Sequence, residues 1–355
     1  MRKFQPEGSE ADTLPWSEGR PLTVEQTKAI RQKLRKNPND LTSRLLLFDR
    51  GFREHSGSWI EPLMWLIDNH PKSIVHQYVT PYKNDERYEK ARQSWLSQIR
   101  SNLDDVTVLC NAASFFQSLA PEDSVKFLKR AIKLDPLDDE LPMRLSQQYR
   151  LMTGHFSARK NKTLAHKAVE QMKVAIERFA QPTNEDSYLL PYFGMELKST
   201  ADLALAYDLL LDASDLARLL LNHKSISSQR LSSDSLGNKS IFDLSINRGH
   251  AILGRVALAS GNIQLAKEHL MQMTGLEFNM FHDTQLADEL LQLGETDTVS
   301  AYLEYLLSMW EQLLLFNASG KRTGGVDENH VRNVITCLKR QLKAISKRSP
   351  SFRDQ

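Results

Sequence analysis

Cysteine is almost absent: Cys110 and Cys337 are the only two in 355 residues. Two thiols so far apart in a chain of this size make no disulfide framework, and a reducing compartment, the cytoplasm, is the expectation. Long apolar runs are missing too. A membrane helix needs about 18 consecutive apolar residues, whereas the greasiest patches, such as 204–211, are interrupted by Asp or Ser at helical spacing. The opening MRKFQPEGSEADTLPWSEGRP has charge without an apolar core, which argues against a secretory signal. There is little excess of one charge, since the formal net is +2, and so no global attraction to nucleic acid or acidic membrane. The short motifs of chemistry are also lacking. No glycine-rich phosphate loop, zinc-protease motif or glycine-flanked nucleophile occurs, and GKRTGG at 320–325 has neither a preceding strand nor the Gly-Lys-Ser/Thr order. No catalytic residue, metal ligand or cofactor is assigned.

What the chain does have is helical punctuation. In NRGHAILGRVALASGNIQLAKEHL, residues 247–270, the small residues fall where two antiparallel helices need them. Gly254 and Ala266 permit close approach, and Leu253, Ala257, Leu265 and Leu270 are expected to fill the seam. Gly261 supplies a positive φ for the turn, and Asn262 caps the next helix. Leu286, Ala287, Leu290, Gly294, Val299 and Leu303 repeat that spacing.

These residues resemble the tetratricopeptide repeat, which has Leu-Gly in its first helix, a small residue in the turn, and Ala then a large apolar residue in its second. Leu128, Ala131 and Pro136 in FLKRAIKLDP match the family's large residue, Ala and terminal Pro, and Leu145 and Tyr149 open another unit. Over residues 24–315 the chain is also similar to a broad group of bacterial tetratricopeptide-like proteins, through NPNDLTSRLLLFDRGF, WLIDNHP, the WLSQI to AIKLDP block, DSYLLPYF and the 247–270 hairpin. The resemblance implies an all-α fold: a right-handed α-solenoid of antiparallel helix pairs, with irregular helices at its start and a capping helix at its end.

Taken in order, residues 1–21 read as a flexible arm whose Trp16 is a candidate to dock on the body. A first array covers 22–222, with units near 105–138 and 139–182 and an insertion at 154–162. Thr23 with Gln26 is a capping box for its first helix. A weaker pair at 184–222 aligns Ala206, Ala217 and Leu221, with DASD at 212–215 standing for the turn glycine. The Ser-rich stretch 223–242 reads as a loop or linker, 243–318 as further repeats, and 319–355 as a loop with a basic terminal helix.

Side chains that suggest chemistry have simpler explanations. His55, His70 and His76 match no metal motif, and His70 before Pro71 suits a helix end. His250 and His269 are expected to pack, Asp138 to Glu140 to start a helix, and Cys110 to act as a small hydrophobe. In CLKRQLKAISKR the cations alternate with Leu338, Leu342 and Ile345; the pattern fits a solenoid cap, the alternative being contact with nucleic acid or acidic lipid.

The expected function is binding without turnover: a scaffold or adaptor that holds a protein or peptide in a repeat groove. The alternatives are the basic terminal helix as a nucleic-acid or membrane contact, and an enzyme with an unrecognised site. In the repeat family the groove is lined at fixed offsets from the small residue of each first helix. Counted from Gly254 this places Arg248 and Arg255 there; from Ala112, Phe116; and from Ser146, Gln147 and Arg150. Arginines beside an exposed aromatic fit an acidic peptide, because guanidinium forks pair with carboxylates. The family's Lys and Asn clamp is not reproduced, and the spacing carries no information on oligomeric state.

Overall fold

In the computed structural model the described residues are 22–54, 57–77, 86–155, 158–179, 190–228, 236–273, 285–318 and 328–348. Helices account for nearly all of them, and no strand occurs among them. They are α1 (Val24–Lys36), α2 (Leu41–Arg53), α3 (Ile60–Asn69), α4 (Glu86–Ser101), α5 (Val106–Phe116), α6 (Pro121–Leu134), α7 (Glu140–Met152), α8 (Ala158–Phe179), α9 (Leu190–Ala206), α10 (Leu210–Ser228), α11 (Leu236–Ala259), α12 (Ile263–Met271), α13 (Gln285–Gln292), α14 (Thr296–Ala318) and α15 (Glu328–Arg348). The chain divides into two compact units, Met1–Ser157 with Val174–Phe179, and Ala158–Lys173 with Ala180–Gln355. In each, helices pack chiefly on their sequence neighbours, as an α-solenoid requires.

The helix starts follow side-chain chemistry. Thr23 Oγ1 accepts from the Gln26 amide at 3.2 Å and Gln26 Oε1 from the Thr23 amide at 2.8 Å, the reciprocal box that opens α1. Asp40, Asp105 and Asn262 each cap the helix that follows them. Asp138 Oδ1 accepts from the Glu140 and Leu141 amides at 2.8 and 3.0 Å, which is the structural role of that acidic run.

The first unit is held by an aromatic and aliphatic core. Trp95, Phe115 and Phe116 are buried together with Phe48, Leu63, Leu66 and Leu109. Full burial stabilises each such side chain by roughly 1.5–3 kcal/mol. Ser124 donates to Gln148 at 3.0 Å and Gln148 to the Gln117 carbonyl at 3.0 Å, so the polar groups between α6 and α7 are satisfied. Helix α1 is different: Thr27 is its one buried residue.

In the second unit three hairpins close in one way. Gly261 and Gly294 have φ of 78° and 86°, and Asp208 has φ of 57°. After each, the next amide reaches back five residues: Asn262 to the Ala257 carbonyl at 2.8 Å, Glu295 to Leu290 at 3.1 Å and Leu209 to Ala204 at 2.9 Å. The left-handed residue itself bonds three back, to Leu258, Leu291 and Leu205. This is the Schellman arrangement, and it fixes a common register. Ala201, Gly254 and Ala287 lie seven residues before it and Ala213, Ala266 and Val299 five after it, all buried.

Several expectations need correction. The turn of the α9–α10 pair is at Asp208 rather than at 212–215, and Ala201, not the exposed Ala206, occupies the small seam position. Helices α10 and α11 extend through Ser228 and from Leu236, so both ends of the Ser-rich stretch are helical; residues 229–235 lie outside the described ones. Helix α8 begins at Ala158, inside the supposed insertion, and the two units divide around 157–180 rather than at 223–242. Leu265 is 39% exposed and does not fill the seam. Pro136 is exposed just past α6, and Leu253 is half-buried. The arm at 1–21 and GKRTGG lie outside the described residues.

The glycine contacts explain why α11 is central. A Cβ on Gly254 would strike the Leu286 side chain of α13 and come within 3.3 Å of His269 Cβ on α12, so this glycine admits the next pair as well as its own partner. One on Gly249 would lie 2.8 Å from Leu221 Cδ2 and 3.0 Å from the Ala217 carbonyl of α10. Gly254→Leu therefore costs about 1–3 kcal/mol of overpacking. Asp208→Gly adds about 0.5–1 kcal/mol, since the left-handed region penalises an L residue by more than glycine loses in unfolded-chain entropy. Urea unfolding midpoints measure both. An unchanged midpoint for either variant contradicts this register.

Candidate partner-binding pocket

The groove residues expected from the repeat pattern are divided between the two units. Phe116 is fully buried, its ring 5.1 Å from that of Phe115 and 5.5 Å from that of Phe127. It is core, not an exposed anchor. Gln147 and Arg150 are half-buried on α7 in the first unit, while Arg248 and Arg255 are half-buried on α11 in the second. Arg255 Nε lies 3.0 Å from Glu289 Oε1 on α13, and Nη1 lies 3.3 Å from Asp202 Oδ1 on α9. With its side chain 14% exposed, it ties α9, α11 and α13 together and is spent on structure. Removing it strands two partly buried carboxylates, so Arg255→Ala is not a neutral probe of binding.

A different site emerges between α1, α2 and the start of α3, where a cavity of about 640 Å³ opens on the first unit. Its apolar lining includes Leu34, Leu47 and Pro62, with Val24 at one end. The polar lining holds Lys28, Arg31, Arg35, Arg44 and Arg50 against Glu54 and Glu61. Arg50 donates to Glu54 at 2.7 Å, to the Thr23 carbonyl at 3.3 Å and to Thr27 Oγ1, pinning the start of α1 to α2. Arg44 pairs with Glu61 at 3.2 Å, donates to the Pro38 carbonyl and lies 5.0 Å from the Trp65 ring centre. Lys33, turned away from the cavity, pairs with Asp40 at 2.8 Å and holds the other end of α1.

These contacts use up both acids of the lining. Lys28, Arg31 and Arg35 pair with no carboxylate among the described residues. They are exposed and sit three and four residues apart, on one face of α1. The cavity thus has an excess of three cations over an apolar floor. Sequence reasoning overlooks it. The available signal is the spacing of Lys28, Arg31 and Arg35 on a helix with almost nothing to bury.

The remaining candidates pack inside the units. Cys110 is buried, and desolvation pushes its thiol up to about 11, which suits the hydrophobe expected. In α15, Val331, Ile335, Leu338 and Ile345 enter the core of the second unit beside Trp310 of α14, while Arg340, Lys343 and Lys347 are exposed. Among the described residues no group of three or more His, Cys, Asp or Glu is placed to hold a metal; His55 lies outside them.

No model of a known protein family matches the chain, and no curated protein matches it. Among solved structures it is similar to a circular tandem repeat protein with novel repeat topology and enhanced subunit contact surfaces, at 13% identity, 91% of this chain, 77% of that chain and a TM-score of 0.33. The class is defined by the helices themselves: a helical-repeat protein of antiparallel pairs. No helix among the described residues is long and apolar enough to cross a membrane.

Histidines make both units acid-sensitive. His76 is buried, with Nε2 3.1 Å from the His70 carbonyl and its ring edge-on to Trp95; desolvation lowers it to about 4. His250 Nδ1 and His269 Nδ1 stand 3.1 Å apart between α11 and α12. Desolvation, then the neighbouring imidazole, lowers His250 to about 4; desolvation also lowers His269. Folded pKa values below the unfolded value of about 6.5 mean that the unfolded chain binds more protons below that pH. Stability is therefore flat above about pH 6.5 and falls toward pH 4. His76 alone contributes roughly 1.4 kcal/mol per pH unit across that window. Urea midpoints at pH 7.5, 6.5 and 5.0 check this, and equal midpoints at all three contradict it.

Proposed function

We infer that this is a non-catalytic scaffold or adaptor of the cytoplasm that holds an acidic, partly apolar segment of another polypeptide in the cavity of α1, α2 and α3. The observation that carries this reading is the row Lys28, Arg31 and Arg35, without carboxylate partners among the described residues, over Leu34, Leu47 and Pro62. Each feature selects for part of the ligand. Guanidinium groups pair with carboxylates in planar, two-bond geometry, and an apolar floor favours a ligand that brings a Leu-like or aromatic side chain with its acids. Single-stranded nucleic acid is held best where aromatic rings stack its bases, and no aromatic residue lines this cavity among the described residues.

The test is fluorescence polarisation at low salt with two probes: a peptide of four Glu around one Leu, and a single-stranded oligonucleotide of similar charge. The peptide binds the wild-type chain, and Lys28→Glu with Arg31→Glu and Arg35→Glu weakens it by about tenfold or more, three exposed pairs being worth up to about 1 kcal/mol each. Melting is nearly unchanged, because all three side chains are exposed. Binding of the oligonucleotide but not the peptide overturns the assignment.

A further inference from the structure

Two imidazoles meet across the central hairpin of the second unit. His250 on α11 and His269 on α12 put their Nδ1 atoms 3.1 Å apart, with ring centres 5.3 Å apart and planes inclined by 36°. Both residues are half-buried, so solvent reaches them. We propose that this pair is a binding site for a late first-row divalent metal ion such as zinc, which takes the two Nδ1 lone pairs and fills its other positions with water. Different residues from those of the α1 pocket, in the other unit, carry it.

Zinc–imidazole bonds are roughly 2.0–2.1 Å long. An ion that far from both nitrogens, at their separation of 3.1 Å, subtends an angle of roughly 100° between them, close to the tetrahedral preference of zinc. The Nδ1 atoms lie on the facing edges of the two rings, and rotation about each Cβ–Cγ bond, a soft torsion in histidine, turns both lone pairs to a point beside the line that joins them. Protons balance without an added base. In the hydrogen-bonded pair one Nδ1 carries hydrogen and the other accepts it; both become bare when the donor ring passes its proton through solvent to its own Nε2. Each imidazole then stays neutral, and no proton leaves the protein.

The fold holds both ligands in place. The turn at Gly261, with the Asn262 amide 2.8 Å from the Ala257 carbonyl, sets the register of α11 on α12. A Cβ on Gly254 would come within 3.3 Å of His269 Cβ, so that glycine lets His269 approach α11 closely. Ala251 beside His250 and Leu270 beside His269 are fully buried and fix the backbone on either side. A chelating pair so preorganised gives up little entropy on binding. Charge favours it too: after desolvation, the neighbour acting on His269 is Glu268, whose carboxylate supports a cation there. Imidazole nitrogen selects zinc, copper and nickel over magnesium and calcium, which take oxygen. No third His, Cys, Asp or Glu joins the pair among the described residues, which makes this an open site with exchangeable water positions. Bound metal replaces one hydrogen bond by two coordinate bonds and so clamps α11 to α12.

The test is calorimetric titration of the full chain with zinc chloride at pH 7.5, in a Cys337→Ser background that removes the exposed thiol. The parent binds zinc saturably and its melting temperature rises. Either His250→Gln or His269→Gln weakens binding by about tenfold or more, at least the cost of losing a supporting contact around a metal. Magnesium chloride shifts nothing. Where a substituted chain fails to fold, the unsubstituted one supplies the readout: zinc shields His250 and His269 together from diethyl pyrocarbonate, as mapped by mass spectrometry. Zinc binding that survives both substitutions, or protection of other histidines while these two stay reactive, overturns the site, as does the absence of saturable binding. Half an ion per chain with a doubled mass in solution assigns the pair to a bridge between two copies and overturns the clamp within one chain.

Discussion

The second unit depends on one backbone constraint: three of its helix pairs reverse through a residue with positive φ. That residue ends the first helix by turning two carbonyls toward the amides that follow it, and so fixes which residues seven before and five after face each other. Gly261, Gly294 and Asp208 all meet the constraint. Once the turn is set, the seam has room for little more than a methyl group near each crossing, which is why Gly254, Ala266, Ala201 and Ala213 sit there. The glycines of α11 extend this logic beyond the pair. Gly249 brings α11 onto α10, and Gly254 brings α13 onto α11, so close approach passes from one hairpin to the next.

Charge then locks what the small residues bring together. Arg255 touches acids on two flanking helices, and both its partners and its own side chain are largely shielded, so its guanidinium is committed to structure. Arg44 and Arg50 do the equivalent in the first unit, anchoring α1, α2 and α3. Against these, Lys28, Arg31 and Arg35 stand out by having no carboxylate to hold among the described residues. A helix that buries one threonine and presents three such cations gains little from its own burial.

How much of this is legible in the sequence depends on the range of the interactions. Caps and turns are local, so Thr23, Asn262, Gly261 and Gly294 are readable directly, and the 254-to-270 spacing with its copy at 287-to-303 identifies the hairpins. The α9–α10 pair reads out of register because the turn residue there is Asp208: an aspartate is ordinary in sequence and shows its left-handed conformation only in the fold. The groove misleads for a longer-range reason. Nothing near Arg255 in sequence shows that its acids arrive from 53 residues before it and 34 after it. Phe116 misleads similarly, since its burial is set by Phe127 on the next helix.

The contrast between the two units bears on how a helical repeat acquires a function. The hairpins of the second unit use their small positions, glycines and arginine to close helix against helix, and that leaves few charges uncommitted on the crossing faces. At α1 the same kind of arrangement is incomplete: a polar helix is pinned at both ends, by Arg50 and by Lys33 with Asp40, while its exposed face carries the cations Lys28, Arg31 and Arg35. Pinning the ends fixes the spacing of those cations without satisfying them. A surface so fixed binds a complementary segment with little reorganisation, whereas cations on an unanchored helix would have to be ordered first. In the proposed function, the anchoring pairs and the open cations are therefore parts of one device, the first holding the geometry that the second would present to a ligand.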